Sequence, residues 1–223
     1  MTVYEQIAEC SARPVLDAGF AQPRWRARSA WAKRALDLCI AVPVLILGAP
    51  VLLLIALWIK LDSKGPVFFR QTRHGLNGRT FEILKFRSMH VLENGSEIRQ
   101  AQANDPRVTR AGRLMRTTSL DELPQLINVI RGEMSLVGPR PHAVAHDRLY
   151  GAVIPDYLVR QSVKPGITGW AQVHGLRGAT PTVNDMRARV EHDIWYARHW
   201  SMMLDLEILL RTFGEVLRAR NAH

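Results

Sequence analysis

The sequence predicts an α+β protein, mostly helical, in which a re-entrant membrane helix is joined to a small cytoplasmic domain with a short β-hairpin and amphipathic interfacial helices. Three observations carry that expectation. Residues 38–59 form an apolar run without a charged residue, long enough as a helix to reach across a bilayer core. Two runs of strand composition flank the turn signal Asn77-Gly78. Leucine and isoleucine recur at helical spacing through 117–130 and again near the C-terminus.

Length and composition bound the organisation. A chain of 223 residues with 47% hydrophobic content suits one compact domain with appendages. The segments expected are a loosely ordered basic tail at 1–30, the membrane helix at 31–60 and the cytoplasmic domain at 61–223. Cys10 and Cys39, the only cysteines, have no metal-type spacing, which argues against a disulfide scaffold and a cysteine zinc site. The net charge of +10 is uneven: residues 1–120 hold 18 Lys/Arg against 9 Asp/Glu, and 121–223 hold 12 against 11. An excess confined to the first half attracts anions such as lipid head groups, phosphorylated substrates or nucleic acid. The apolar run turns that choice toward an anionic lipid bilayer, and no nucleic acid is expected. The run starts too far from Met1 and is too long for a cleaved signal peptide.

Arg24, Trp25, Arg26, Arg28, Trp31, Lys33 and Arg34 form a basic, tryptophan-bearing approach to the apolar run, a composition suited to head-group depth. Lys60, Lys64, Arg70 and Arg73 follow on the other side, whereas a simple span prefers cations on one side only. Gly48-Ala49-Pro50 is a break in the run, because proline lacks the N–H of the helical ladder and crowds the preceding turn. A helix that enters, bends near Pro50 and returns to the same face fits both facts; a kinked spanning helix is the alternative. Asp37 has Lys33 and Arg34 one turn behind it and can pair with them.

Residues 67–71 and 80–86 are the expected hairpin arms, with Lys85 and Arg87 two apart on one face. A polar surface segment follows at 91–110. In 117–130, Leu120, Leu123, Leu126, Ile127 and Ile130 define the buried side of a helix. Its start is either a capping box of Ser119 and Glu122 or Pro124 as first helical residue. Under both choices Asp121 and Glu122 fall in or just before the first turn. Gly132 ends the helix, 135–141 is a strand-like run into a rigid loop, 164–169 is a tight loop, and Ser201 is the N-cap of a last amphipathic helix carrying Leu204, Ile208, Leu209, Phe213, Val216 and Leu217.

Two adjacent carboxylates at a helix start, in a basic half-chain, can do chemistry. The helix dipole favours ionised Asp121, and free N–H groups there can hold a phosphoryl group. A carboxylate attacks phosphorus to give an acyl phosphate, while Glu122 could hold Mg²⁺ with phosphate oxygens and water. Lys85, Arg87, Arg116 and Arg140 lie in loop or strand-end contexts where they can converge on a diphosphate and spread transition-state charge. The competing reading is plain: acidic residues in a first turn are common caps, and each cation alone suits a surface ion pair.

The runs Lys33-Arg34-Ala35-Leu36-Asp37, Gly65-Pro66-Val67-Phe68-Phe69-Arg70-Gln71, Lys85-Phe86-Arg87-Ser88-Met89, Thr118-Ser119-Leu120-Asp121-Glu122-Leu123-Pro124-Gln125-Leu126, Met134-Ser135-Leu136-Val137-Gly138-Pro139-Arg140-Pro141 and Lys164-Pro165-Gly166-Ile167-Thr168-Gly169-Trp170-Ala171-Gln172-Val173 resemble those of the bacterial sugar transferase family, the monotopic phosphoglycosyl transferases. The resemblance runs in order from Ala30 to Thr212. It implies an Asp121-Glu122 dyad with Asp121 as nucleophile, a re-entrant helix broken near a proline, Mg²⁺ dependence and a covalent phosphosugar intermediate. It implies transfer of a sugar-1-phosphate from a UDP-sugar to a polyprenyl phosphate at the cytoplasmic face of the bacterial inner membrane, as the first membrane step of an exopolysaccharide or related glycan. It also raises Asp193 as an active-site support in substrate binding. The chain departs from the family where Ala49-Pro50 stands for the frequent Ser-Pro, and where His174 stands for a frequent Asn.

Overall fold

The computed structural model of the protein describes residues 27–90 and 105–217. Most of the expected tail, with Cys10, Arg24, Trp25 and Arg26, and residues 91–104 of the polar segment lie outside the described residues.

The first helix, α1 (Ala27–Asp62), stays helical through Pro43 and Pro50. It is long and apolar enough to cross a membrane. Its middle exposes Ile46, Leu47, Val51, Leu53, Leu54 and Leu57, which water would penalise and lipid would not. Both ends are fastened by polar side chains. Near the start, Lys33 pairs with Asp205 at 2.5 Å, Arg34 donates to the carbonyls of Val129 and Ile130, and Asp37 accepts from Ser135 Oγ and Leu136 N, each at 2.9 Å. Lys33, Arg34 and Asp37 thus each find long-range partners within the domain, and among the described residues no ion pair joins Asp37 to either cation. At the far end Ile55 and Ile59 pack with Phe86, Ala111 and Met115, and Asp62 accepts from Ala111 N at 3.1 Å.

The hairpin forms as expected but longer. Strands β1 (Phe68–His74) and β2 (Thr80–Phe86) pair antiparallel from Phe68↔Phe86 to His74↔Thr80. Asn77 at φ 54 and Gly78 at φ 73 turn the chain between them, the left-handed values an Asn-Gly turn supplies at low cost.

The helix expected over 117–130 is two helices. α2 (Arg110–Thr118) starts at Thr109, whose side chain accepts from Gly112 N, and stops at Ser119 in the left-handed region at φ 61. After a 3₁₀ turn, Leu120–Glu122, α3 (Gln125–Arg131) has Pro124 as its N-cap and Gly132, φ 82, as its C-cap. Ser119 thus closes one helix and makes no side-chain cap for the next; of the two starts open in the sequence, the proline one is the nearer, with Pro124 one position before the first helical residue.

Strand β3 (Ser135–Val137) pairs in parallel with β4 (Gly166–Thr168), a second small sheet beside the predicted hairpin. Between them run α4 (Val144–Val153) and a 3₁₀ segment, Tyr157–Ser162. The short α5 (Trp170–Val173), then α6 (Val183–His199) and α7 (Met202–Leu217) complete the fold. Ser201 Oγ accepts from Leu204 N at 3.1 Å, as an N-cap does. α7 buries Leu204 and Ile208 in the main core and exposes Met203, Leu210 and Phe213; Phe213, expected on the amphipathic helix, lies on its outward side.

Candidate active site

Asp121 and Glu122 sit on the 3₁₀ turn between α2 and α3, both buried. A turn of three residues sends neighbouring side chains about 120° apart, so the two carboxylates face different surroundings. Glu122 accepts from Lys85 Nζ at 2.9 Å and from both terminal nitrogens of Arg140. Arg177 Nη2 lies 3.8 Å from it and donates to Ser119 Oγ at 2.7 Å. Asp121 has no side-chain hydrogen bond or ion pair among the described residues.

Lys85 reaches the turn because α3 packs on the hairpin, with Leu126 and Val129 in one cluster with Phe81 and Ile83, and one polar side chain fixes the contact. Asn128 accepts from Leu84 N at 3.0 Å and donates to Glu82 O at 2.7 Å, standing in for a strand neighbour along β2. Arg140 comes from the loop after β3, between Pro139 and Pro141, whose rings fix the backbone on both sides. Gly138 lets that loop approach β4: a side-chain carbon there would stand 2.2 Å from Lys164 O.

The electrostatics divide the carboxylates. Burial, then the charge of Glu122, raises Asp121 to about 6 against the opposing pull of Lys85, Arg116 and Arg140. Burial also works against ionisation of Glu122, but Arg140 and Lys85 outweigh it and hold Glu122 well below the usual carboxylate range. Glu122 reciprocally raises Arg140, while burial lowers Lys85. Cations thus favour the charged form of one carboxylate, while burial and that neighbouring charge push the other up to about 6.

The structure brings Asp121, Glu122, Lys85 and Arg140 together. Arg116 is near enough to act on the charge of Asp121, with Nη1 3.9 Å from Met89 Sδ. Arg87, expected at a diphosphate, is spent elsewhere: it donates to the carbonyls of Lys64, Ser63 and Ile59 and to Ser63 Oγ, closing the C-terminus of α1. Asp193 is buried against Arg160, which donates to it at 3.0 and 2.8 Å. Two cations missing from the sequence-based set belong to the site. Arg177 sits between glycines 175 and 178, and that loop setting after the Trp170 motif is its signal in the sequence. Arg73, lowered to about 10 by burial and then by Arg140, carried no local signal.

Among the described residues no cluster of three or more His, Cys, Asp or Glu is set to hold a metal. Mg²⁺ needs less than that, since one or two carboxylates with substrate phosphates and water suffice. The free oxygens for it are those of Asp121, because direct ligation by Glu122 would require Lys85 or Arg140 to let go. The residues fit Mg²⁺ in that limited sense.

The family model described as bacterial sugar transferase matches residues 28–219. Over 191 residues the chain is 56% identical to the UDP-glucose:undecaprenyl-phosphate glucose-1-phosphate transferase of Caulobacter vibrioides, covering 86% of this chain and 72% of that protein. It is 55% identical over 180 residues to the protein of the same name from Escherichia coli K12, covering 81% of this chain but only 39% of the relative. The exopolysaccharide production protein PSS of Rhizobium leguminosarum bv. phaseoli is 46% identical over 184 residues, 81% of this chain and 92% of that one.

Proposed function

This chain belongs to the bacterial sugar transferase family, a family of phosphoglycosyl transferases, and we propose that it moves glucose-1-phosphate from UDP-glucose to undecaprenyl phosphate, releasing UMP, through a phosphosugar held covalently on Asp121. The observation that carries this reading is the division of labour in the dyad: Glu122 takes the surrounding cations and Asp121 is left buried, unpaired and ionisable near neutral pH. The names of the Caulobacter and Escherichia relatives support the choice of glucose and of the lipid acceptor. The Rhizobium relative supports a role in exopolysaccharide synthesis.

In the first displacement an Asp121 carboxylate oxygen bonds to the β-phosphorus of UDP-glucose. The bond from that phosphorus to the oxygen bridging to the α-phosphate breaks, and UMP leaves with the electron pair. In the second, an oxygen of the lipid phosphate attacks the same phosphorus and the Asp121 carboxylate leaves. Lys85 and Arg140, which pair with Glu122, and Arg177 beside them would restrain the transferring phosphoryl group by charge. Asp121 would be the residue that holds Mg²⁺ when the ion is present, and the ion would supply charge neutralisation for the phosphates.

Two features of α1 support a membrane placement with both ends on one face. Lys33 and Asp62 are fastened to the same domain, yet in a straight helix they would be about 44 Å apart, more than the roughly 30 Å of bilayer hydrocarbon. A segment that enters and leaves on the cytoplasmic face reconciles the two, and the exposed Met203, Leu210 and Phe213 of α7 suit that same interface.

The test is incubation with UDP-glucose labelled in the sugar, without lipid. One equivalent of UMP should be released and label should remain on the peptide containing Asp121. Absence of both, together with an active Asp121→Asn variant, overturns the covalent route.

A further inference from the structure

Three consecutive carbonyls of the loop that carries Arg140 are each held by a different partner. Pro139 O accepts from Gly166 N at 2.9 Å, Arg140 O from Arg160 Nη2, and Pro141 O from Arg73 Nη1 at 2.8 Å. The first is ordinary backbone pairing. The second is unusual, since a fully buried guanidinium is used on the main chain of the residue whose own side chain grips Glu122. Arg160 also reaches His142 Nδ1 at 3.1 Å, two residues further on, so it spans the loop rather than touching it once.

We propose that Arg160 is a positioning residue for Arg140, and that Asp193 serves the site through it by holding the guanidinium of Arg160 in place. The proposal rests on the reading of Asp121 and Glu122 given above. Asp193 accepts from Nε and Nη2 of Arg160, the edge that leaves Nη2 directed at Arg140 O as well. Tyr157 packs 5.5 Å from the guanidinium carbon, limiting its other motions. Breaking a buried pair of this kind is costly whatever its role. What separates positioning from plain stability is the route: a displaced Arg160 frees Arg140 O, the loop relaxes, and the Arg140 fork loses register with Glu122 and with the phosphoryl group. Misplacement of such a group by about 1 Å can cost on the order of a hundredfold in rate. Asp193, expected to bind substrate, then stands two steps from it.

The experiment is a double-mutant cycle in the full-length, lipid-reconstituted protein, with Arg160→Gln and Arg140→Gln alone and together, read as kcat/KM for UDP-glucose. Arg160→Gln should lower kcat/KM by at least about tenfold when Arg140 is present and by less than about twofold when it is not. Equal losses in both backgrounds overturn the proposal and leave the transferase reading standing. Where Arg160→Gln does not fold, Arg160→Lys keeps a charge against Asp193 but cannot bridge to the loop, and the same non-additivity is required of it. A readout independent of turnover is hydrogen–deuterium exchange: the amides of residues 138–143 should exchange faster in Arg160→Gln and Arg160→Lys while those of β1 and β2 do not. An inactive wild type sinks the transferase reading alone, and the exchange then decides the positioning role; an unchanged loop overturns it.

Discussion

Lys85 and Glu122 are joined across 37 residues of sequence by a 2.9 Å ion pair. Asn128 supports the pair by docking α3 along β2 through Leu84 N and Glu82 O, beside the packing of Leu126 and Val129 in one cluster with Phe81 and Ile83.

Asn128→Ala should therefore destabilise the domain by about 2–4 kcal/mol, since it strands a buried donor and acceptor together. Turnover should fall beyond the loss of folded protein, because Lys85 is no longer held against Glu122. Thermal unfolding beside kcat on the folded fraction checks both; intact kcat would mean that Lys85 is placed by the hairpin alone.

Activity should rise with pH through about 6, where buried Asp121 ionises. The sign for stability is opposite. A carboxyl raised in the folded state binds more protons there than when unfolded, so its contribution to stability is lost as pH rises from about 4 to 6. Asp121→Asn should consequently abolish turnover and raise the melting temperature at neutral pH, by as much as about 3 kcal/mol equivalent. A lower melting temperature would show that ionised Asp121 is stabilising.

Glu122→Gln removes the charge that raises Asp121 and the anion that holds Lys85 and Arg140. Turnover should drop by about a hundredfold, and the acid limb of the pH profile should move below 6. The half-saturating Mg²⁺ concentration should change by less than about twofold, because a carboxylate committed to cations is not free to ligate. A large rise in the Mg²⁺ requirement would make Glu122 a direct ligand.

Arg87→Gln should lower stability by about 3 kcal/mol or more by unmaking the cap on α1, with KM for UDP-glucose unchanged in the folded fraction. Gly65→Ala should act the same way. Gly65 lies at φ 129, and a side-chain carbon there would stand 2.0 Å from Arg87 Nη1. A raised KM in either variant would return Arg87 to the substrate site.

With Cys10 and Cys39 replaced by serine, single cysteines at Ser29, in the first turn of α1, and at Lys64, two residues past its last, should both be shielded from an impermeant maleimide in intact cells. Labelling of one and not the other would establish a spanning helix.

By itself the sequence determined the local elements whose signals are local: the apolar length of α1, the Asn77-Gly78 hairpin, the glycine stop at Gly132, the Ser201 cap and the carboxylate pair beside Pro124. Each of these rests on backbone geometry or periodicity within a few residues. The tertiary structure decided which cation goes where. Lys85 and Arg87, two apart in sequence, part company because Arg87 finds the orphan carbonyls at the end of α1, and an unsatisfied buried carbonyl is costly. Asp121 and Glu122, adjacent and chemically alike, differ because a 3₁₀ turn aims only Glu122 at Lys85 and Arg140. Charge at low dielectric is settled by distances of a few ångströms between segments far apart in the chain, and spacing along a sequence does not encode them.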